Sequence, residues 1–434
     1  MKLAPSDSQP ARHGGTTIIL IAIAAGVLLG GSFPADRFPL VFETFHFLSK
    51  AFIQLIKGLI IPLLMSTLIV GIAQTGDLKL VGRMGGKALL YFELVTTIAL
   101  GIGLVVANVM KPGASLPLDV AAHPSALATK LPSGFDIALH MFPSNLFAHA
   151  AAGDILPVVV FATLFGIALT RAGESGKVVL SFAEGVAATM IRYTEMVMRL
   201  TPIGVFAAMA YNVSHMAAGG GTNGLSGWPA VWNLVGAYAR LVGSLYLALA
   251  LLFALVFVPV LLVLRVRVRA FLRAVRDPVL TAFTTASSEA ALPKLLAAME
   301  SFGVPKRIAS FVIPAGYSFN LDGSTLYLVL ASLTIAQAAH VELTLSQQLI
   351  MMLSLMLTSK GVAGVPRATL VVIAATCSSF GLPGEAGVAM LLAVDELMDM
   401  GRTAINVMGN GLASVVIARW EGAFTPGADE AQSS

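Results

Sequence analysis

An uninterrupted apolar stretch of 24 residues, Leu241–Leu264, constrains this chain more than any other feature of its sequence. It contains nothing more polar than Ser244 and Tyr246, and a helix of about 20 apolar residues crosses a bilayer. Across all 434 residues, 57% are hydrophobic and 12% are charged, whereas a soluble domain has about 25% charged residues. We therefore predict one multi-pass membrane domain in contact with the lipid bilayer, rather than several soluble domains.

Further apolar segments recur along the chain and predict an all-α protein with eight transmembrane helices. These segments are Thr16–Phe33, Ala51–Ala73, Ala88–Met110, Ile155–Thr170, Phe182–Tyr211, Val235–Leu264, Ile308–Gln337 and Gly387–Arg419.

Basic residues in short loops set the direction of these spans, because they are retained in the cytoplasm. Lys79, Arg83 and Lys87 follow the second span, and five arginines follow the sixth, whereas the loops after odd-numbered spans are poorer in Lys and Arg. The net charge of +4 is thus spread between spans and does not indicate a nucleic-acid partner. We predict a cell inner membrane protein with both termini in the cytoplasm.

Two further apolar segments, Arg269–Phe302 and Leu343–Leu382, are interrupted by small and polar residues in "SSEAALP" and "SKGVAGVP". The alternation of the flanking spans requires each segment to begin and end on the same side of the membrane. They are predicted to be re-entrant helical hairpins that enter from opposite faces. Inverted repeats of this kind are typical of secondary transporters, in which irregular backbone lines the binding site.

The predicted last helix carries a polar stripe. Its residues are spaced four, three, four and four apart, which places them within an arc of about 80°; they are Asp395, Asp399, Arg402, Asn406 and Asn410. One interpretation is an Asp399–Arg402 ion pair near a solvated helix end. The other is a ligand site in which Arg402 binds a carboxylate bidentately and Asp399 accepts from an ammonium group, as an acidic amino acid would require.

The segment "GYSFNLDGSTLY" interrupts the seventh span. Gly316 and Gly323 bracket Asn320 and Asp322, so an unwound helix there would present carbonyl, amide and carboxylate oxygens together. Hard cations such as Na⁺ prefer such ligands. The alternative is a kinked span in which a neutral Asp322 is hydrogen-bonded to Asn320.

Four motifs in this order, "SSEAALP", "GYSFNLDGSTLY", "TSKGVAGVP" and "VDELMDMGRTAINVMGN", resemble the dicarboxylate/amino acid:cation symporter family, the glutamate transporters. The similarity is dense over Pro278–Gly422 and is supported by "YFELVTT" in the third span. It implies a glutamate-transporter fold of eight transmembrane helices and two re-entrant hairpins, assembled as a homotrimer. Residues 269–421 would form the core of an elevator-like transport domain and 16–268 mainly a scaffold, with helices three and six joining the transport domain, between tails at 1–15 and 422–434.

The resemblance also implies roles for individual residues, with no organic cofactor and with Na⁺ and/or H⁺ as coupling ions. Substrate contacts are implied for Ser287, Ser288, Ser324, Val365, Asp399, Arg402, Thr403 and Asn406. Cation contacts are implied for Thr96, Thr97, Gly316, Ser318, Asn320, Asp322, Ser359, Asn406 and Asn410. An outer gate is implied for Gly364, Val365, Pro366 and Arg367.

Two departures from the family pattern leave the ion and the substrate open. Asn410 stands where strongly sodium-coupled members have aspartate, so proton coupling, with Glu93 or Glu289 as a carrier, is an alternative to sodium coupling. Arg367 adds a charge to the second hairpin tip, where it either alters the closure of the gate or supplies a second cation to a dicarboxylate. The second reading favours a C4-dicarboxylate as the alternative substrate. Because both Asp399 and Arg402 are present, the first expectation is import of glutamate or aspartate. A pure anion channel is a further alternative, whereas an enzyme is not expected.

Overall fold

The computed structural model describes residues 14–73, 80–116, 118, 142–152, 155–220, 224–359 and 368–425. Within these ranges the regular secondary structure is helical, without a strand, as an all-α chain requires.

The first part of the chain forms long helices and their connections. They are α1 (Gly14–Ser32), α2 (Pro39–Ala73), α3 (Leu80–Met110), α4 (Leu146–Ala152), α5 (Ile155–Arg171), α6 (Gly176–Met198), α7 (Thr201–Ala217), α8 (Gly227–Leu252) and α9 (Val258–Val263). A 3₁₀ turn follows α3 at Pro112–Ser115, another precedes α6 at Gly173–Ser175, and a π turn at Phe253–Phe257 joins α8 to α9.

The second part of the chain consists of further helices joined by short connections. They are α10 (Val268–Thr285), α11 (Ser288–Phe302), α12 (Lys306–Phe319), α13 (Asp322–Ala338), α14 (Leu345–Ser359), α15 (Ala368–Ser379), α16 (Gly384–Leu392) and α17 (Asp395–Trp420).

Length and composition identify four described segments that are able to cross a membrane. They are Pro39–Val70, Met84–Met110, Gly227–Val263 and Lys306–Ala338, and the bent pair α6–α7 is a fifth if it forms one span. The first predicted span and the fourth correspond to shorter apolar helices, Thr17–Ser32 and Val160–Arg171. A membrane protein is therefore supported, whereas the predicted number of eight spans stays a prediction.

Two predicted spans are divided in the structure. Phe182–Tyr211 was expected to be continuous, but α6 and α7 meet at an angle of 51°. Pro202 explains this break, because it lies in the first turn of α7 and has no N–H to continue α6. The last predicted span, Gly387–Arg419, is divided into α16 and α17. Helix α17 begins at Asp395, and a negative charge is favourable at the N-terminus of a helix.

The first predicted hairpin corresponds to α10 and α11, which pack against each other and against α17. Ala286 adopts a left-handed conformation with φ of 46° between them, and the hydroxyl of Ser287 caps α11 by accepting from the backbone N–H of Ala290. Helices α14 and α15 also pack together. The tip between them, residues 360–367, lies outside the described residues.

Helix α13 lies at the centre of the fold. Every residue from Asp322 to Ala336 is buried, although the segment Lys306–Ala338 is apolar enough to span a membrane. Gln337 fastens the end of α13 to α3, since its amide donates to the carbonyl of Ala107 at 2.8 Å and accepts from the N–H of Gly113 at 3.0 Å. Protein rather than lipid therefore surrounds the helix that carries Asp322.

Two ion pairs join distant parts of the chain. Lys57 of α2 is paired with Glu385 of α16. Lys87 of α3 contacts Glu421, just beyond α17, at 2.7 Å. Helices α2 and α3 thus each form a salt bridge with a residue in the C-terminal third of the chain.

Replacement of Gly113 by alanine is expected to destabilise the protein, because a Cβ there would collide with the backbone oxygen of Thr334. Overpacking of this kind costs about 1–3 kcal/mol. Gly243→Ala is the matched control, since its Cβ would meet no atom within 4 Å. We expect a lower melting temperature of the detergent-purified protein for Gly113→Ala alone, and equal melting temperatures would contradict the close packing of the 3₁₀ turn Pro112–Ser115 on α13.

Candidate functional site

The guanidinium of Arg402 lies between two carboxylates on its own helix, α17. Its Nη1 donates to Oδ1 of Asp395 at 3.1 Å, and its Nε donates to Oδ1 of Asp399 at 2.9 Å. The side chains of Arg402 and Asp395 are 1% and 0% exposed, and that of Asp399 is 11% exposed. The group contains one positive and two negative charges, so it has an excess negative charge when all three side chains are ionised.

Tyr327 of α13 forms the opposite wall of this group. Its ring centroid is 4.1 Å from Cζ of Arg402, and its hydroxyl donates to Oδ1 of Asp395 at 3.1 Å. The ring face attracts the cation, and the hydroxyl fixes the carboxylate that holds the cation. Arg402 is therefore restrained from three directions, two by charge and one by stacking.

The break between α12 and α13 places polar groups opposite this helix. Helix α12 ends as the N–H of Asn320 bonds the carbonyl of Gly316 at 2.7 Å, and α13 begins at Asp322. Asn320 and Leu321 have ψ of 67° and 59°, outside the helical region. The predicted interruption of the seventh span is confirmed.

Asn406 of α17 fastens the start of α13. Its Oδ1 accepts from the backbone N–H of Gly323 at 2.8 Å and of Ser324 at 3.3 Å, while its Nδ2 donates to the Ser324 hydroxyl at 2.9 Å. The first N–H groups of a helix lack partners within the helix. A single carboxamide thus satisfies these N–H groups and orients the Ser324 hydroxyl.

One turn further along α17, Asn410 meets the end of α12. Nδ2 of Asn320 donates to Oδ1 of Asn410 at 3.1 Å. Two glycines allow this approach. A Cβ on Gly316 would collide with the Asn410 amide, and a Cβ on Gly409 would lie 2.6 Å from Oδ2 of Asp322.

Two buried polar atoms of this contact and two of α3, which packs against α12, α13 and α17, have no hydrogen-bond partner within the described part of the chain. They are Oδ1 of Asn320, Nδ2 of Asn410, Oγ1 of Thr96 and the hydroxyl of Tyr91. Buried polar atoms are normally paired, so a group of unsatisfied ones needs an additional partner. The three oxygens suit a hard cation or an ordered water, whereas Nδ2 of Asn410 is a donor and needs an acceptor such as an ordered water.

The structure brings some of the other predicted residues into this arrangement and leaves others out. Thr403 joins it, since its hydroxyl contacts Oδ1 of Asp399 at 3.3 Å. Thr97 does not, because it is exposed and donates to the carbonyl of Glu93. Ser359 is buried and donates to the carbonyl of Met356 in its own helix.

The serines of the first hairpin tip are half-buried, and neither forms a hydrogen bond to α17 within the described residues. Ser287 is engaged in capping α11, and Ser288 is the first residue of that helix. Ser318 belongs to α12. Four predicted residues, Gly364, Val365, Pro366 and Arg367, lie outside the described residues.

The two alternatives left open by the sequence can now be compared with the geometry. The Asp399–Arg402 ion pair is present, but it is buried and shared with Asp395, unlike a pair at a solvated helix end. The amide of Asn320 bonds Asn410 in the neighbouring helix, a partner that the kinked-span interpretation did not include.

Three residues of the site are absent from the sequence-based assignments. Asp395 was recognised as part of the polar stripe but received no role, although it lies one turn before Asp399. Tyr327 and Tyr91 occur within the quoted motifs "GYSFNLDGSTLY" and "YFELVTT". Nothing in these motifs distinguishes the two tyrosines from ordinary core residues. Only the packing of α3 and α13 on α17 reveals the hydrogen bond of Tyr327 to Asp395 and the buried hydroxyl of Tyr91, which has no hydrogen-bond partner among the described residues.

Comparison with known proteins finds similar sequences over almost the whole chain. The model of the sodium:dicarboxylate symporter family matches residues 16–420. The proton/sodium-glutamate symport protein of Geobacillus stearothermophilus is 37% identical over 413 residues, covering 94% of this chain and 94% of the relative.

Two other relatives are named for different substrates. The proton/glutamate-aspartate symporter of Escherichia coli (strain K12) is 40% identical over 420 residues, covering 94% of this chain and 92% of the relative. The C4-dicarboxylate transport protein of Laribacter hongkongensis is 39% identical over 412 residues, covering 94% of this chain and 89% of the relative. With its membrane-length helices and buried polar site, the chain is a transporter and not an enzyme, and it belongs to the sodium:dicarboxylate symporter family.

Proposed function

We propose that this protein imports acidic amino acids, glutamate or aspartate, by symport with Na⁺ and/or H⁺. The observation that carries the proposal is the buried Arg402 held by both Asp395 and Asp399. A substrate carboxylate requires the guanidinium, and a substrate ammonium group requires a carboxylate. One pair of side chains supplies both.

The charge of the site favours a substrate that carries both signs. In the proposed complex, the ammonium group of the substrate binds Asp399 and replaces the hydrogen bond from Nε of Arg402. That side of the guanidinium then binds the substrate carboxylate. Asp395 stays on Nη1 and keeps the guanidinium in place. A dicarboxylate without an amino group would bring two negative charges to a group that already has an excess negative charge, with nothing to compensate Asp399.

Coupling to a cation follows from the break between α12 and α13. The proposed cation ligands Asn320 and Asp322 lie at the break, and Ser324, a proposed substrate contact, lies two residues later. A cation bound there would order the same backbone that positions the Ser324 hydroxyl through Asn406. Asn410 is neutral, whereas strongly sodium-coupled family members have an aspartate at this position. The proposed cation site therefore has one fewer negative charge to attract Na⁺, and H⁺ is retained as the alternative coupling ion.

The remaining features of the proposal follow from the family resemblance. Residues 269–421 would move as a transport domain against a scaffold within a homotrimer, in an inner membrane with both termini in the cytoplasm. Ser287 and Ser288 would complete the substrate site after a movement of the first tip, and residues 364–367 would close the other side. The burial of α13 within protein supports its place at the centre of a moving unit.

Symport of C4-dicarboxylates is the second candidate. The similarity to the Laribacter hongkongensis protein, named a C4-dicarboxylate transport protein, favours it, as does the additional cation Arg367 in the second tip. Direct competition between the two substrate classes separates the candidates.

The first test is uptake by purified protein in liposomes. Labelled glutamate, aspartate and succinate are supplied under a sodium gradient alone and under a proton gradient alone. We expect the amino acids to accumulate under at least one gradient, and unlabelled succinate to compete poorly. Accumulation of succinate that excess glutamate does not inhibit would contradict the proposal and support the second candidate.

Asp399→Asn tests the ammonium contact specifically. A hydrogen bond to a charged group contributes about 1.5–3 kcal/mol, so amino acid uptake should fall about 10- to 100-fold at subsaturating substrate. Asp277→Asn is the matched control, because it is the same change at an exposed aspartate of α10. An equal loss of glutamate uptake and succinate uptake would show that Asp399 does not bind the amino group of the substrate.

Gly409→Ala tests the proposed cation ligands Asn320 and Asp322 without changing a polar side chain. Its Cβ would lie 2.6 Å from Oδ2 of Asp322, whereas the Cβ of Gly411→Ala on the same helix would meet only side-chain atoms, the nearest at 3.3 Å. We expect a higher cation concentration for half-maximal uptake in Gly409→Ala alone. An unchanged cation dependence, measured on a variant with a wild-type melting temperature, would contradict the proposal that Asp322 binds the coupling cation.

A further inference from the structure

A row of exposed arginines surrounds the connection between α9 and α10. Five arginines occur within twelve residues, and all are exposed; they are Arg265, Arg267, Arg269, Arg273 and Arg276. The retention of basic loops in the cytoplasm accounts for some positive charge at this point in the chain. It does not require these residues to share one face of a helix.

The geometry of α10 aligns three of them. Arg269, Arg273 and Arg276 are spaced four and three residues apart, so they lie within an arc of about 60°. The opposite face contains the buried Phe271 and Val275, and α10 packs on α11 and α17. The three guanidinium groups therefore point away from the protein.

The row lies where a membrane-length helix ends. The segment Gly227–Val263 is apolar enough to cross a bilayer, and its last residues, Leu262 and Val263, are 62% and 82% exposed. The chain then reverses at Arg265, which has a positive φ of 55°. Exposed apolar side chains followed directly by exposed guanidinium groups match the boundary between hydrocarbon and headgroups.

Few negative charges are available to this row from the protein. Within the described residues Arg265, Arg269, Arg273 and Arg276 form no ion pair, unlike Lys177 and Arg192, which are paired with Glu174 and Glu195. The only acidic residue of α10 is Asp277, which is exposed. The row thus presents a concentrated positive surface at headgroup depth.

We propose that this arginine row binds the phosphate headgroups of anionic phospholipids. Guanidinium groups match phosphate oxygens bidentately, and basic clusters next to a membrane span attract anionic lipid. The partner is part of the bilayer that the segment Gly227–Val263 is long and apolar enough to cross, so no additional macromolecule is needed. Bound lipid would hold the start of α10 at the membrane surface, and α10 packs directly on the helix that carries Arg402.

Native mass spectrometry of the purified full-length protein tests this inference. Delipidated protein in detergent is titrated with phosphatidylglycerol or with zwitterionic phosphatidylcholine. The variant is Arg269→Gln/Arg273→Gln/Arg276→Gln, and the control, Arg171→Gln/Lys177→Gln/Arg192→Gln, removes the same number of exposed positive charges from another part of the chain. We expect wild type and control to prefer phosphatidylglycerol at least about fivefold, and the variant to lose most of this preference.

Two outcomes would overturn the proposal. The first is an unchanged phosphatidylglycerol preference in the variant. The second is removal of the preference by millimolar inorganic phosphate at constant ionic strength, which would identify a free-anion site. Single variants Arg269→Gln and Arg276→Gln should each cause a partial loss, so the comparison remains decisive if the triple variant does not fold. Binding is measured without transport, so a failure here is distinguishable from a failure of the proposed function.

Discussion

A guanidinium group buried between two carboxylates is the constraint on which the rest of this structure depends. An isolated charge at the centre of a membrane helix costs about 2.5–3.5 kcal/mol even on insertion scales, so Arg402 needs Asp395, Asp399 and the ring of Tyr327. Because Asp395 and Asp399 are both acidic, the pairing is not neutral. The excess negative charge makes a ligand with an ammonium group the natural complement of the site.

The proposed substrate and cation groups share α17 and the break between α12 and α13. Asn406 and Asn410 are four residues apart on α17, or about 6 Å along the helix axis. Asn406 contacts the start of α13, and Asn410 contacts the end of α12. Movement of the irregular backbone at Asn320–Leu321 would therefore alter both groups together. This arrangement offers a direct physical route by which cation binding and substrate binding could influence each other.

The features that could be predicted from sequence were those with a local cause. The glycines around Asn320 and Asp322 predicted the interruption of the seventh span, and the four-and-three spacing predicted the stripe on α17. Pro202 contained the signal for the bend between α6 and α7, but continuous hydropathy obscured it. Thr96 and Thr97 differ by about 100° around α3, so which of the two is buried depended on a helix rotation that only tertiary packing supplies. The same holds for Tyr327, whose hydrogen-bond partner Asp395 lies on another helix.

Equilibrium binding of three related ligands tests the central claim most directly. Isothermal titration of the purified protein compares L-aspartate with succinate, which lacks the amino group, and with L-alanine, which lacks the side-chain carboxylate. If Asp399 and Arg402 read the two groups together, L-aspartate binds at least about tenfold more tightly than either analogue, and Asp399→Asn removes its advantage over succinate. Succinate binding as tight as that of L-aspartate in the wild-type protein would contradict the account.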